Sequence, residues 1–358
     1  MAIEWLAGNR IRGTSTERTS TSGFNQVDAV SGSWVEVGRT TLGSPATSIN
    51  VTSLPNKRYY KVLVSCLNGS GTNHDIAIRF NSDSGSNYAN RDSQNGASDG
   101  ANGNRTEIQA TASQDEEFTC FYVANKSDKE KLVIGHSVSR PGAGAGNAPQ
   151  RREYASKWVN TSDSIDEINI VNTGAVHTWA AGSEVVVLGY DPADSHTTNF
   201  WEQLADVTLS SAGDNISSGT FSAKKYLWIQ TYISDTGGQD SVNMTFNNDT
   251  GNNYAFRRNN NGGTDATTTS TSHITLNSSE VTEDLFSNIF IINNSSNEKL
   301  VIGHTIQNQT LGAGTAPIRK EFVGKWTNTS SQITEIDFDN DSSGSYDTNS
   351  IIRVWGAN

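Results

Sequence analysis

The sequence has little cysteine, no long apolar run and few basic residues, and each shortage excludes something. Only 2 cysteines occur in 358 residues. Cys66 and Cys120 both lie in the first half and stand where the second has Ile233 and Asn288, so the fold does not depend on a disulfide, although a bridge between them stays open at this point. No apolar stretch approaches the roughly 20 residues of a membrane helix. Lysine and arginine total 26 against 38 acidic residues, a formal charge of -12. That balance argues against binding nucleic acid or an anionic membrane. The opening Met1-Ala2-Ile3-Glu4-Trp5 lacks the basic and apolar regions of a signal peptide, so synthesis in a cytoplasm is expected. An extracellular protein stripped of its leader is the alternative.

What the chain does contain is short β-branched and aromatic runs set among Ser, Thr, Asn and Gly. That is the profile of a sandwich or barrel with many polar turns. No segment has helical periodicity with caps. The length suits two domains, each able to bury a core without disulfide or metal staples.

An internal repeat defines those domains. Glu130–His136 recurs unchanged as Glu298–His304, an offset of 168 (298 minus 130). Gly144–Pro149 matches Gly312–Pro317, Lys157-Trp158 matches Lys325-Trp326, and Phe80–Ala89 matches Phe246–Ala255. Trp34 pairs with Trp201, and Val187–Gly189 with Val354–Gly356. So constant an offset marks a duplicated domain and not a solenoid. The expected fold is all-β, two tandem homologous antiparallel β-sandwiches of jelly-roll-like type. Residues 1–32 form an N-terminal arm, 33–190 the first sandwich, 191–198 a linker and 199–358 the second.

Comparing the copies assigns strand faces. Tyr60, Val62, Val64 and Cys66 align with Leu227, Ile229, Thr231 and Ile233, which makes that face the core side. Cys66 is then expected as a buried free thiol. The opposite face reads Tyr59, Lys61, Leu63 and Ser65 against Tyr226, Trp228, Gln230 and Tyr232. An outward Tyr226-Trp228-Tyr232 stripe suits a protein interface or a sugar-stacking platform, or packs beneath a loop of its own domain. Trp5 is a further candidate, as the aromatic anchor of the arm beside Ile3 and Leu6.

Candidate chemistry is weak. Asn81–Asn87 and its copy Asn247–Asn253 superficially suggest a calcium loop. Each offers one aspartate, with Asp99 or Asp265 further on, too few carboxylates for a cation, so a tight turn is expected. The glycine-rich Pro141–Asn147 lacks the Gly-Lys-Ser/Thr of a phosphate loop and reads as a flexible connection. His136 and His304 have no second ligand at metal spacing and read as structural. Asp115-Glu116-Glu117 and Glu283-Asp284 read as exposed acidic turns and not as a glycosidase pair. No catalytic residue, cofactor or metal is expected.

The tract Arg79-Phe-Asn-Ser-Asp-Ser-Gly-Ser-Asn-Tyr88, downstream of Val37-Gly-Arg-Thr-Thr-Leu-Gly43 and a tyrosine-rich strand, resembles tracts in tailed-phage structural proteins. The resemblance spans both domains, although Thr245 replaces the arginine in the second. It implies a non-enzymatic virion protein of the capsid-decoration, cement or tail-appendage kind, made in a host cytoplasm. Its partners would be other virion proteins and further copies of itself, as in a symmetric oligomer such as a trimer. The arm would order against a neighbour on docking. The alternative is a carbohydrate-binding adhesin or receptor-binding protein recognising a host-surface glycan.

Overall fold

The computed structural model describes residues 34–70, 74–111, 115–173, 177–192, 194, 198–234, 240–277, 284–308 and 312–358. Among them there is no helix, and the strands form two antiparallel β-sandwiches in tandem. In the first, an eight-stranded sheet runs in the order Val35–Thr41, Glu184–Tyr190, Tyr59–Cys66, Glu116–Ala124, Lys131–Arg140, Gln150–Trp158, Tyr88–Gln94, Gly100–Arg105. A four-stranded sheet of Ser48–Val51, Ile168–Asn172, Ile76–Phe80 and Ile108–Gln109 covers its inner face.

The second sandwich repeats this order strand for strand. Its large sheet runs Glu202–Thr208, Ile351–Ala357, Tyr226–Ile233, Leu285–Ile292, Lys299–Gln307, Ile318–Trp326, Tyr254–Asn260, Ala266–Thr271. Even a register irregularity is duplicated, between Glu36 and Gly38 in one copy and Gln203 and Ala205 in the other.

Alternation places the cores as expected. Tyr60, Val62, Val64 and Cys66 pack with Ile76, Ile78, Phe80, Ile168 and Trp158. Leu227, Ile229 and Ile233 pack with Met244, Phe246, Ile336 and Trp326. The thiols of Cys66 and Cys120 are both free and buried. Cys66 belongs to the first core, whereas Cys120 faces outward into a third cluster.

That third cluster organises the molecule. The outward faces of the two large sheets pack on each other, and Leu63, Phe118, Val138, Val186 and Leu188 meet Tyr226, Phe290, Ile292, Leu300, Ile302 and Val323. The strand Glu184–Tyr190 is therefore enclosed on both sides. Val185 and Val187 enter the first core while Val186 and Leu188 enter the shared one. A continuous valine-leucine run is what such a doubly buried strand requires.

Candidate functional site

The repeated Asn/Asp/Gly segment is a structural turn whose carboxylate is already occupied. Asn81 and Ser82 adopt positive φ, as do Asn247 and Asn248, the left-handed conformation that asparagine tolerates. Asp83 accepts hydrogen bonds from Gly85 N at 2.8 Å, from Asn87 Nδ2 at 2.9 Å and from the buried indole of Trp158 at 2.7 Å. Asp249 does the same for Gly251, Asn253 and Trp326. Burial alone would raise both carboxyls, yet these donors hold them below the usual range. Arg79 binds Glu107 at 2.9 Å outside the turn, so Thr245 can replace it without cost to the motif.

The outward face is where sequence and structure diverge. Tyr226 and Trp228 do point away from their own core, but toward the first sandwich, where Tyr226 is buried and Trp228 half-buried. Tyr226 is buried, and its hydroxyl donates to Glu184 at 2.8 Å. Trp228 stacks on Trp355 at 4.6 Å between centroids and on Phe290 at 6.0 Å, and its indole donates to Asn288 at 2.7 Å. The stripe is therefore broken as a sugar platform at Tyr226, and Trp228 keeps only part of its surface open. Tyr232 alone is exposed, with its hydroxyl on Asp284 at 2.6 Å. Trp5 lies outside the described residues.

Lys61, the counterpart of Trp228, sits in this contact with 3% of its surface exposed. Its Nζ lies 3.7 Å from the Phe290 ring centroid, 5.2 Å from Trp201, 5.3 Å from Tyr122 and 5.5 Å from Trp228. Burial pushes the ammonium down to about 8, and the ring faces supply the attraction that water no longer gives.

Polar clusters flank the apolar contact. His136 and His304 meet edge to face at 4.3 Å across it. Burial holds His136 down to about 3, assisted by the His304 charge, and holds His304 down to about 4. Beside them Arg151 binds Asp265 at 2.9 Å, Glu321 at 2.9 Å and Glu153 at 3.2 Å. At the far edge Glu184 accepts from Thr41 at 2.5 Å, Lys225 at 3.0 Å and Arg39 at 3.1 Å.

Two further expectations need correction. Glu116 and Glu117 are buried, not on an exposed turn. Glu116 pairs with Arg140 at 3.0 Å and accepts from Asn297 at 2.7 Å, while burial pushes the Glu117 carboxyl well up. The Pro141–Asn147 loop grips the second sandwich: Gly144 N donates to Glu298 at 2.6 Å, and Gly142 O accepts from Lys325 at 2.8 Å. Glu116 and the loop belong to the domain contact, which no single-strand pattern displays, whereas Glu117 lies beside Cys66 on the inner side of the first sandwich.

The contact leaves half of each outward face uncovered. On the first sandwich Tyr59, Tyr122, Leu132 and Ile134 are exposed, and with Trp34 they line a hollow of about 250 Å³. Tyr59 stacks on Tyr190 at 6.0 Å, and Tyr190 lies 5.7 Å from Trp34. On the second, Tyr232, Phe286 and Ile306 form an exposed row across three adjacent strands. Sequence reasoning missed the first patch because Leu132 and Ile134 lie in the repeated Glu130–His136 segment and read as ordinary strand residues.

No family model matches the chain and no curated protein matches it. Among solved structures it is similar to domains LG4-5 of the mouse laminin alpha1 chain, at 9% identity over 90% of this chain and 89% of that one, with a TM-score of 0.19. An acyl-CoA hydrolase from Agrobacterium tumefaciens is 6% identical over 61% and 74% of the two chains, with a TM-score of 0.12. At such scores neither likeness carries an argument about this protein.

Proposed function

We propose that the chain is a non-catalytic structural protein of a virus particle, of the capsid-decoration or tail-appendage kind, which docks through its exposed sheet face and N-terminal arm. The observation that carries this reading is the division of the outward faces. One half of each holds the two sandwiches together, and the other half is apolar yet open, as a surface kept for a partner is. Exposed patches rarely survive on soluble monomers without such a use. The particle is named by the sequence resemblance, which the Phe-Asn-x-Asp-x-Gly-x-Asn-Tyr turn carries in both copies.

The repeated polar residues fit a structural role. Asp83, Asp249, His136, His304 and Arg151 are each engaged in a turn or in the domain contact. A glycan-binding adhesin is the competing reading, but the continuous Tyr226-Trp228-Tyr232 platform that favoured it is interrupted by the burial of Tyr226. Peptide mass spectrometry of purified particles, with electron microscopy of antibody-labelled ones, tests the proposal. The chain is expected at stoichiometric level at regular surface positions. Particles free of it, together with a positive glycan-array signal for the pure protein, would overturn the proposal in favour of the adhesin.

A further inference from the structure

A glycine-rich loop and the surface that receives it are both duplicated, but among the described residues they meet once. The second sandwich receives Gly144–Pro149 of the first around Lys325 and Arg257. Gly144 N donates to Glu298, Arg257 Nε donates to Pro149 O at 2.9 Å, and Ser270 N donates to Ala145 O at 2.8 Å. Lys325 donates to Gly142 O just upstream. Pro149 is buried, and the side chains of the Lys325–Glu298 ion pair are 0% and 4% exposed. Main-chain groups of the loop thus bond both members of a buried pair that would otherwise be costly to bury.

The first sandwich leaves the corresponding surface open. Its counterpart pair, Lys157 and Glu130, has side chains 43% and 40% exposed. Arg91 is exposed where its counterpart Arg257 is half-buried. Arg91 and Lys157 border a hollow of about 460 Å³ whose lining includes Ala89, Ala101, Gly103 and Ala155. Side chains so small let a peptide main chain approach closely, and the two cations can donate to its carbonyls. The matching loop is spare. Gly312-Ala-Gly-Thr-Ala-Pro317 repeats Gly144-Ala-Gly-Asn-Ala-Pro149, and Gly312 and Gly144 share a left-handed backbone, with φ of 93° and 83°. All of Gly312–Pro317 is exposed. Each chain therefore carries one loop and one hollow whose duplicates already fit each other.

We propose that the Gly312–Pro317 loop of one chain seats in the hollow beside Lys157 of a second copy, as Gly144–Pro149 seats beside Lys325 within the chain. Gly312 N then donates to Glu130, and Arg91 donates to the Pro317 carbonyl. This hollow shares only Leu132 with the apolar one on the same sandwich. Tyr59, Tyr122 and Ile134 stay open to a partner, and the inference does not rest on the particle role. Sedimentation equilibrium of the free protein over a wide concentration range tests it. Arg91→Glu spoils the hollow and Pro317→Glu spoils the loop, with an unchanged melting temperature as the check on folding. The wild-type mass should rise above that of one chain with concentration, and each variant alone should associate roughly ten-fold more weakly. An equimolar mixture of the two variants should form mixed pairs and nothing larger, because it keeps one intact hollow and one intact loop. A wild type of one-chain mass throughout would overturn the proposal, and so would a mixture no heavier than either variant alone. Association of both variants as strong as that of wild type would also overturn it, by placing the contact elsewhere. Should Arg91→Glu fail to fold, Pro317→Glu decides alone, because Pro317 lies on an exposed loop outside the strands.

Discussion

Lys61 is the residue at which burial and attraction compete most openly. Its ammonium is held down to about 8 from an ordinary 10.5, a burial cost of about 3 kcal/mol at neutral pH. Cation–π contact with the surrounding rings returns roughly 2 kcal/mol. Lys61→Met is therefore expected to stabilise the chain by about 1 kcal/mol in urea unfolding at pH 7. The sign follows from a folded pKa below the unfolded one. The cost is full below pH 8 and fades toward the unfolded pKa, so the advantage of the variant should shrink at pH 10. A variant less stable than wild type at pH 7 would mean that the rings outweigh the burial cost. Asp249 offers a second test at this scale. Asp249→Ala strands the Trp326 indole and the Gly251 amide, and a loss of about 2 kcal/mol in the same assay is expected. A loss below about 0.5 kcal/mol would show that water replaces the carboxylate freely.

At the scale of elements, the strands bearing His136 and His304 make the domain contact sensitive to acid. Both histidines are held below their ordinary 6.5, to about 3 and about 4. Stability from keeping them neutral is thus full above pH 6.5 and is lost as pH falls toward 4. Glu153, raised by burial and by Glu321, acts in the opposite sense, since acid relieves it. Arg151 and Arg319 lower the histidines further and stay charged throughout. The melting temperature should therefore fall between pH 7 and pH 4.5, and the His136→Gln, His304→Gln double variant should flatten that fall. An equal fall in both proteins would place the acid sensitivity elsewhere.

Elements also show how much was legible beforehand. Tyr60, Val62, Val64 and Cys66 announced the core face because a water-facing alternative would have cost four apolar side chains. The opposite face hid its burial, because Lys61 and Ser65 read as solvent-facing until a second domain is known to cover them. The one local sign was the run Val185–Leu188, apolar on both faces. The turn at Asp83 was legible as a turn, but its tie to Trp158, 75 residues away, was not.

For the whole molecule, the duplication explains the division of surfaces. Two copies of one sheet face were available. Changes such as Lys61 opposite Trp228 and Cys120 opposite Asn288 let one half of each face close on the other copy. The remaining halves kept Leu132 and Ile134 on one sandwich and Phe286 and Ile306 on the other. The domain contact buries Tyr226 and half-buries Trp228, which leaves Leu132, Ile134 and their neighbours on the first sandwich as the candidate docking surface.

Co-sedimentation with virus particles depleted of the chain tests that central claim most directly. Wild-type protein should pellet with the particles, while Ile134→Glu, folded and of unchanged melting temperature, should stay in the supernatant. Equal pelleting of both, or of neither, would contradict the account.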